Sequence, residues 1–374
     1  MELEGAPCLY VGVAEPLVER AHVWLAQVPP CASDAELDEK LKAFPFRAMG
    51  AYNLDMRGGE QSVITFHMHA DVPKDLIEAE IRQWNGQTPS LLTLVNRPIP
   101  SIDYRACLDE LVRSVDDSPF QIIVRVGLTI QLLQRDLAAL KPDVVILDSH
   151  GTEEGCLILE DGRACADFIG GERLFSILRP RPRVLMLSAC HSERILDRTN
   201  RVAEQSDTVI VYVRGSEPLE VTADVAFCSM FFPALFRGEP AGEAFDAARE
   251  YVKNDRQVGI FSTTRGKTTP GDKLLINEAG RGVRLTIPTT SGQKPSHVLP
   301  PMMPVSTLSR RSAQRFIGRR REMQQILDEL LPLPAGIARG TKAGSHRLVT
   351  LTKEGGIGKT ALAVRIVEWL AERR

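Results

Sequence analysis

The stretch PDVVILDSHG at 142–151, answered by RPRVLMLSACHS at 181–192, decides how this chain is read. Each opens on a short, unbroken apolar run, 144–147 in the first and 184–187 in the second. Runs of that length without alternation predict strands buried on both faces of a parallel sheet. Each run stops at small polar residues and then presents one reactive side chain, His150 and Cys190 respectively. In open α/β sheets, ligands sit beyond the carboxyl ends of the strands. Two adjoining strands would therefore deliver an imidazole and a thiol to one crevice.

The chemistry needs such a pair for a definite reason. A thiol of pKa about 8.5 is only a few per cent ionised at neutral pH, and a neighbouring imidazole or imidazolium overcomes that deficit. The imidazole then returns a proton to the leaving amine. Gly151 has no side chain to obstruct its N–H, so Gly151 and Cys190 could hold a developing oxyanion, worth roughly 3–4 kcal/mol in comparable sites. Taken singly, His150 reads as a strand-end residue and Cys190 as a buried apolar thiol. Their joint appearance, each after an apolar strand and flanked by small residues, points to a catalytic dyad.

SHG at 149–151 and SACHS at 188–192 resemble the His-Gly and Ala-Cys-His-Ser boxes of CHAT-domain proteins, which belong to the caspase-like (clan CD) cysteine peptidases. The likeness extends over roughly 90–255. GCLILEDG at 155–162 is similar to the hairpin after the family's His box. The stretch 209–249, with Asp224, Ala226, Phe231 and Phe232, resembles its fifth strand and paired helices. The resemblance implies a caspase-like sheet, His150 and Cys190 as the dyad, and no cofactor or metal for peptide cleavage. One departure stands out: related metacaspases often carry an acid two residues before the thiol, where it helps bind a basic P1 side chain. Here that position is Ser188, so an acidic element would have to come from elsewhere.

Asp148, Glu217 and Asp224 are the candidates for it, with Ser188 beside them. A carboxylate at the crevice rim would select Arg or Lys by charge-assisted hydrogen bonds. Each also has a plainer reading as a solvated loop acid or, for Asp224, a helix N-terminal acid. His191 follows the nucleophile directly and is expected to point to the opposite face, which leaves His150 as the base.

Length and composition bound the rest. The 374 residues allow two or three domains. With 43% hydrophobic residues and a net charge of −2, the chain reads as globular, with no global pull toward nucleic acid or anionic membranes. Seven irregularly spaced cysteines argue against a disulfide framework and for a reducing, cytoplasmic setting. The acidic start, MELEGAPCLYVGVAEP, does not read as a signal peptide. The absence of a long apolar run excludes a membrane-spanning helix.

The expected order is an α+β segment over 1–86, a caspase-like domain over 87–288, a linker over 289–312, and the opening of a second module over 313–374. In the first segment, 8–14 and 62–70 read as strands, and 17–28 and 74–84 as helices. His67 and His69 share a strand face without a third ligand, so no metal site is expected. From Ser90 a strand–helix alternation begins, with strands in SLLTLVN, FQIIVRV, the His and Cys runs and DTVIVYVRG. Helices are expected over 104–115, 129–140, 172–178, 221–236 and 241–253. Such alternation predicts an α/β fold with a mostly parallel sheet flanked by helices. VRLTIP at 283–288 reads as a last edge strand. The arginines at 310–311 and 319–321 read as a helix face more than a nucleic-acid patch.

RLVTLTKEGGIGKTALAV at 347–364 has the order apolar strand, glycine-rich turn, GKT, helix. That is a phosphate-loop context, in which Gly355, Gly356 and Gly358 line the turn, Lys359 reaches β/γ oxygens and Thr360 ligates Mg²⁺. Lys353 stands where the strict pattern has glycine, which strains the loop. With FIGRRREM at 316–323, the stretch resembles the opening of a STAND NTPase, the class of NACHT and NB-ARC switches. This stretch carries no Walker B aspartate, so ATP turnover by this chain is not expected, and ATP with Mg²⁺ belongs to the full-length module.

The sequence-level reading is thus a caspase-like CHAT-type cysteine endopeptidase joined to a STAND NTPase. Such fusions resemble stress or defence switches in which a regulatory C-terminal region oligomerises and licenses cleavage of a protein partner, here after a basic residue. The competing readings are a non-catalytic signalling adaptor and a nucleotide-binding switch built on the same scaffold.

Overall fold

The computed structural model describes residues 7–28, 54–55, 62–69, 74–85, 90–99, 104–115, 120–179, 181–197, 208–215, 219, 221–254, 269–285, 297–299, 319–331, 349–352 and 358–373. In chain order the elements begin β1 (Cys8–Val13), β2 (Val18–Val28), β3 (Leu54–Asp55), β4 (Ser62–His69), α1 (Lys74–Asn85), β5 (Ser90–Pro98), α2 (Tyr104–Val115) and β6 (Gln121–Val126). They continue with α3 (Ile130–Leu140), β7 (Val144–Asp148), β8 (His150–Gly151), β9 (Cys156–Glu160), β10 (Ala166–Gly170), α4 (Gly171–Ile177), β11 (Val184–Ser188) and α5 (Ser192–Asp197). The last are β12 (Val209–Val213), α6 (Val221–Phe236), α7 (Ala241–Asn254), α8 (Pro270–Lys273), β13 (Leu274–Ile276), α9 (Arg320–Leu330) and α10 (Lys359–Glu372).

Two compact units result, one of 1–16, 100–319 and 325–374, the other of 17–99 and 320–324. The larger is α/β. Its six-stranded sheet has the order β13-β12-β11-β7-β1-β6, parallel throughout except for the antiparallel edge strand β13. Strands buried on both faces explain the unbroken apolar runs. Val144, Ile146, Val184 and Met186 face one way, into a core shared with Phe227, Phe231 and Phe245 of α6 and α7. Val145, Leu147, Leu185 and Leu187 face the other, onto Leu133 and Leu137 of α3 and Leu174 of α4. A stop signal is visible on α3: the Thr129 hydroxyl accepts from Leu132 N at its start, and Lys141 closes its end in the left-handed region. Strands β8, β9 and β10 form a separate antiparallel sheet.

The smaller unit is a four-stranded antiparallel sheet, order β3-β4-β2-β5, with α1. Several expectations are corrected here. The stretch 17–28 is a strand, not a helix: a register shift between Val23 and Trp24 puts the buried Ala21 and Trp24 three residues apart, which imitates helical spacing. SLLTLVN pairs with β2 in this sheet and is no part of the parallel one. The segment 1–86 is not one unit either, because β1 lies between β7 and β6 in the large sheet, where its six residues are all buried.

Past residue 266, two short elements lie ahead of the edge strand expected at 283–288. PGDK forms α8 under a capping box between Thr269 and Asp272, and LLI is the edge strand β13. Residues 283–285 are not a strand, and 286–288 lie outside the described residues. Within the expected linker, Val298 pairs with β6 through its own N–H and carbonyl. Ahead of α10, residues 349–352 carry no strand, and the helix begins at Lys359, two residues before the expected start. Among the described residues, no helix is long and apolar enough to cross a membrane.

Candidate active site

The two decisive strands are neighbours. β7 and β11 pair in parallel with Leu147 beside Leu187 and Asp148 beside Ser188. The alignment runs one step further, with Ser149 N donating to Ser188 O at 3.2 Å. His150 and Cys190 each stand two residues beyond the Asp148–Ser188 pair, so register brings both to the same end of the sheet. Gly151 makes the approach tighter still. A Cβ built there would fall on the carbonyl oxygen of Cys190, and would lie 2.9 Å from its carbonyl carbon and 3.3 Å from its amide nitrogen. Only a residue without a side chain lets the two main chains lie so close.

Cys190 sits on a sharp turn between β11 and α5. His191 takes φ 57°, in the left-handed region that costs a non-glycine residue about 1–2 kcal/mol. Its imidazole is buried, and burial lowers its pKa, with Glu153, Arg194 and Glu154 acting as further charges. Ser192 staples the turn. Fully buried, its Oγ accepts from Val213 N at 2.7 Å and lies 3.2 Å from Leu187 O, tying the end of β11 to the end of β12. The sequence shows Ser192 only as the last letter of the Cys box. Its role needs the neighbouring strand.

The Cys190 thiol is half-buried, and burial pushes its pKa up. Main-chain N–H groups of Leu219 and Cys190 itself, and the charge of Lys273, act in the other direction. At rest the group is therefore a thiol, and attack requires a base to take its proton.

Three of the four substrate-binding candidates come together. Ser188 Oγ donates to Asp224 Oδ2 at 2.8 Å, from β11 to the first turn of α6. Asp148 is buried with its pKa held well above the usual carboxylate range, first by desolvation and then by the charges of Asp224 and Glu15. Asp148 and Ser188 continue the strand alternation onto the face that α6 covers. The fourth, Glu217, lies outside the described residues, as do Lys353, Gly355 and Gly356. Of the phosphate-loop candidates, Gly358 takes φ 82° and caps α10, whose first residues are Lys359 and Thr360.

Sequence reasoning missed a second cluster, past the same end of strand β1. Glu160, at the end of β9, accepts from Glu15 N at 3.0 Å and from Arg373 at 2.8 and 3.1 Å. A salt-bridged pair 213 residues apart in sequence leaves no local signal. Among the described residues, no group of three or more His, Cys, Asp or Glu is arranged to hold a metal ion. Cys8, Cys156, Cys165, Cys190 and Cys228 are all unbridged. No protein-family model matches this chain, and no curated protein matches it.

Proposed function

We propose that this chain is a caspase-like cysteine endopeptidase of the CHAT type, acting on a protein substrate and governed by an attached STAND-like module. The observation that carries the reading is the register of β7 against β11, which sets His150 and Cys190 at equal distance past a paired position, with Gly151 against the Cys190 main chain. In this reading the Cys190 sulfur attacks the scissile carbonyl carbon while His150 takes the thiol proton. His150 passes that proton to the amine as the C–N bond breaks, and water then hydrolyses the acyl-enzyme. Gly151 and Cys190 N–H groups serve the oxyanion. The raised thiol pKa favours a concerted base over a standing thiolate–imidazolium pair.

The substrate reading follows from the acids. Asp224, hydrogen-bonded by Ser188, supplies from α6 the carboxylate that Ser188 does not carry itself. A guanidinium or ammonium at P1 would meet a charged acceptor there, which supports cleavage after Arg or Lys. Asp148, whose carboxyl is shifted toward the protonated form by burial first and then by the charges of Asp224 and Glu15, contributes shape more than charge.

One observation favours the adaptor reading: burial raises the Cys190 thiol, as it does in inert structural cysteines. Alkylation separates the two. A peptidase labels at Cys190 faster than at the other thiols and loses that preference in His150→Ala. A peptide library then reads cleavage and P1 choice together. Equal labelling of all thiols, with no cleavage of any peptide, would leave a docking module.

A further inference from the structure

We propose that Arg373, the residue that caps the end of α10, is a positioning residue for His150, so that docking of α10 sets the dyad in working order. The functional consequence rests on the peptidase reading above.

Arg373 grips Glu160 with both arms of its guanidinium, Nε to Oε2 at 3.1 Å and Nη2 to Oε1 at 2.8 Å, and Nη2 also reaches Glu15 O at 3.2 Å. The side chains are 10% and 2% exposed. The guanidinium lies 3.6 Å from the ring centre of Trp369. Gly127 leaves it room, since a Cβ there would come within 2.5 Å of Arg373 Cγ. The same turn is held again by Tyr104 Oη donating to Glu372 at 3.0 Å, and by Arg365 between Glu372 and Glu15. A bidentate arginine fork is geometrically specific, and losing one partner of a buried pair is severely penalised.

Two main-chain lines run from this anchor to His150. Glu160 ends β9, whose Ile158 pairs with His150 and whose Leu157 pairs with Gly151. Glu160 also fixes Glu15 N, and the adjacent Ala14 N donates to Asp148 O at 2.9 Å, two residues before His150. The catalytic imidazole thus hangs between two strands that α10 holds at their ends. Contiguity is not yet coupling, and coupling is what the experiment measures.

The test uses the full chain with Arg373→Ala and, as the milder change, Glu160→Gln. Two quantities are read: amide exchange over 150–160 and 362–372, and the pH profile of iodoacetamide alkylation at the Cys190 peptide. Both variants should exchange roughly tenfold faster in those segments while β7 and β11 stay protected. Alkylation near pH 7 should fall roughly three- to tenfold, its His150-dependent inflection should fade, and adding His150→Ala should change nothing further. Mere loosening would expose the thiol and raise the rate, which overturns the proposal. So would loss of protection throughout β7 and β11, because α10 would then belong to the folding core. The two failures separate cleanly. Unchanged exchange over 150–160 removes the positioning role and leaves the peptidase reading standing, whereas equal alkylation of wild type and His150→Ala removes the peptidase reading even where exchange responds.

Discussion

Ser188 donates its hydroxyl hydrogen to Asp224 across 36 residues of sequence, at 2.8 Å. The contact fixes one carboxylate oxygen beneath the rim of the candidate site and leaves the other beside Cys228, 3.9 Å from its sulfur. In the peptidase reading, a P1 guanidinium or ammonium that reached this carboxylate would bond it with charge assistance.

Asp224→Asn should therefore lower kcat/KM for Arg and Lys substrates by roughly 100-fold, the usual scale for removing one partner of a buried charge pair. Ser188→Asp in that background should restore part of the loss, because the carboxylate is then supplied from β11. Peptide cleavage by the single and double variants checks both. An Asn variant that keeps its preference for basic residues would place P1 recognition elsewhere.

Gly151→Ala tests how closely the two strand ends approach. The added carbon would overlap the Cys190 carbonyl, so one main chain must move. The expected cost is about 1–3 kcal/mol of stability. Cys190 alkylation should lose its dependence on His150 at the same time. Thermal melts and the labelling rate are both informative, and an alanine variant that labels as the wild type does would contradict the close approach.

How much of this was visible in the sequence depends on how far each signal had to reach. β7, β11 and β12 were legible because a strand covered on both faces must be apolar at every position. The shared end of His150 and Cys190 followed from that. β2 was not, because its register shift near Trp24 breaks the period of two and leaves a helix-like pattern. β1 reads as a strand but is assigned to the 1–86 segment, since nothing in CLYVGV says that its neighbours lie more than 100 residues away. β13 has three residues, too few for any period to register. The Arg373–Glu160 pair and the Ser192 staple are tertiary facts, made where the ends of strands and helices distant in sequence meet.

Asp148 gives a pH prediction with a definite sign. Its folded pKa is raised above the unfolded value, by burial first and then by Asp224 and Glu15. A raised pKa means the native state prefers the proton. The group's favourable contribution is complete below its unfolded pKa, about 3.9, and is lost as pH climbs through the folded value. Asp148→Asn keeps the neutral form at every pH. Its Tm should match the wild type near pH 4 and exceed it increasingly toward pH 8, at about 2–4 °C for each kcal/mol released. A gap that stays flat or narrows with pH would contradict the buried, neutral carboxyl.

Ser192 is where stability and the nucleophile meet. Its Oγ is the acceptor for Val213 N, and it bridges to Leu187 O near the end of β11, three residues before Cys190. Ser192→Ala removes the acceptor and strands a buried N–H, which costs about 1–3 kcal/mol. The left-handed conformation at His191 is held against its own preference by the same turn, so relaxing it should let the Cys190 segment swing. The variant should melt lower and also alkylate with a weakened dependence on His150. Ser192→Cys, which keeps a weak acceptor in nearly the same volume, should fall between the two. If Ser192→Ala loses stability while Cys190 alkylation and its pH profile stay as in the wild type, the hydroxyl only pins two strands together, and the geometry of the turn is set by the glycine at 151 instead.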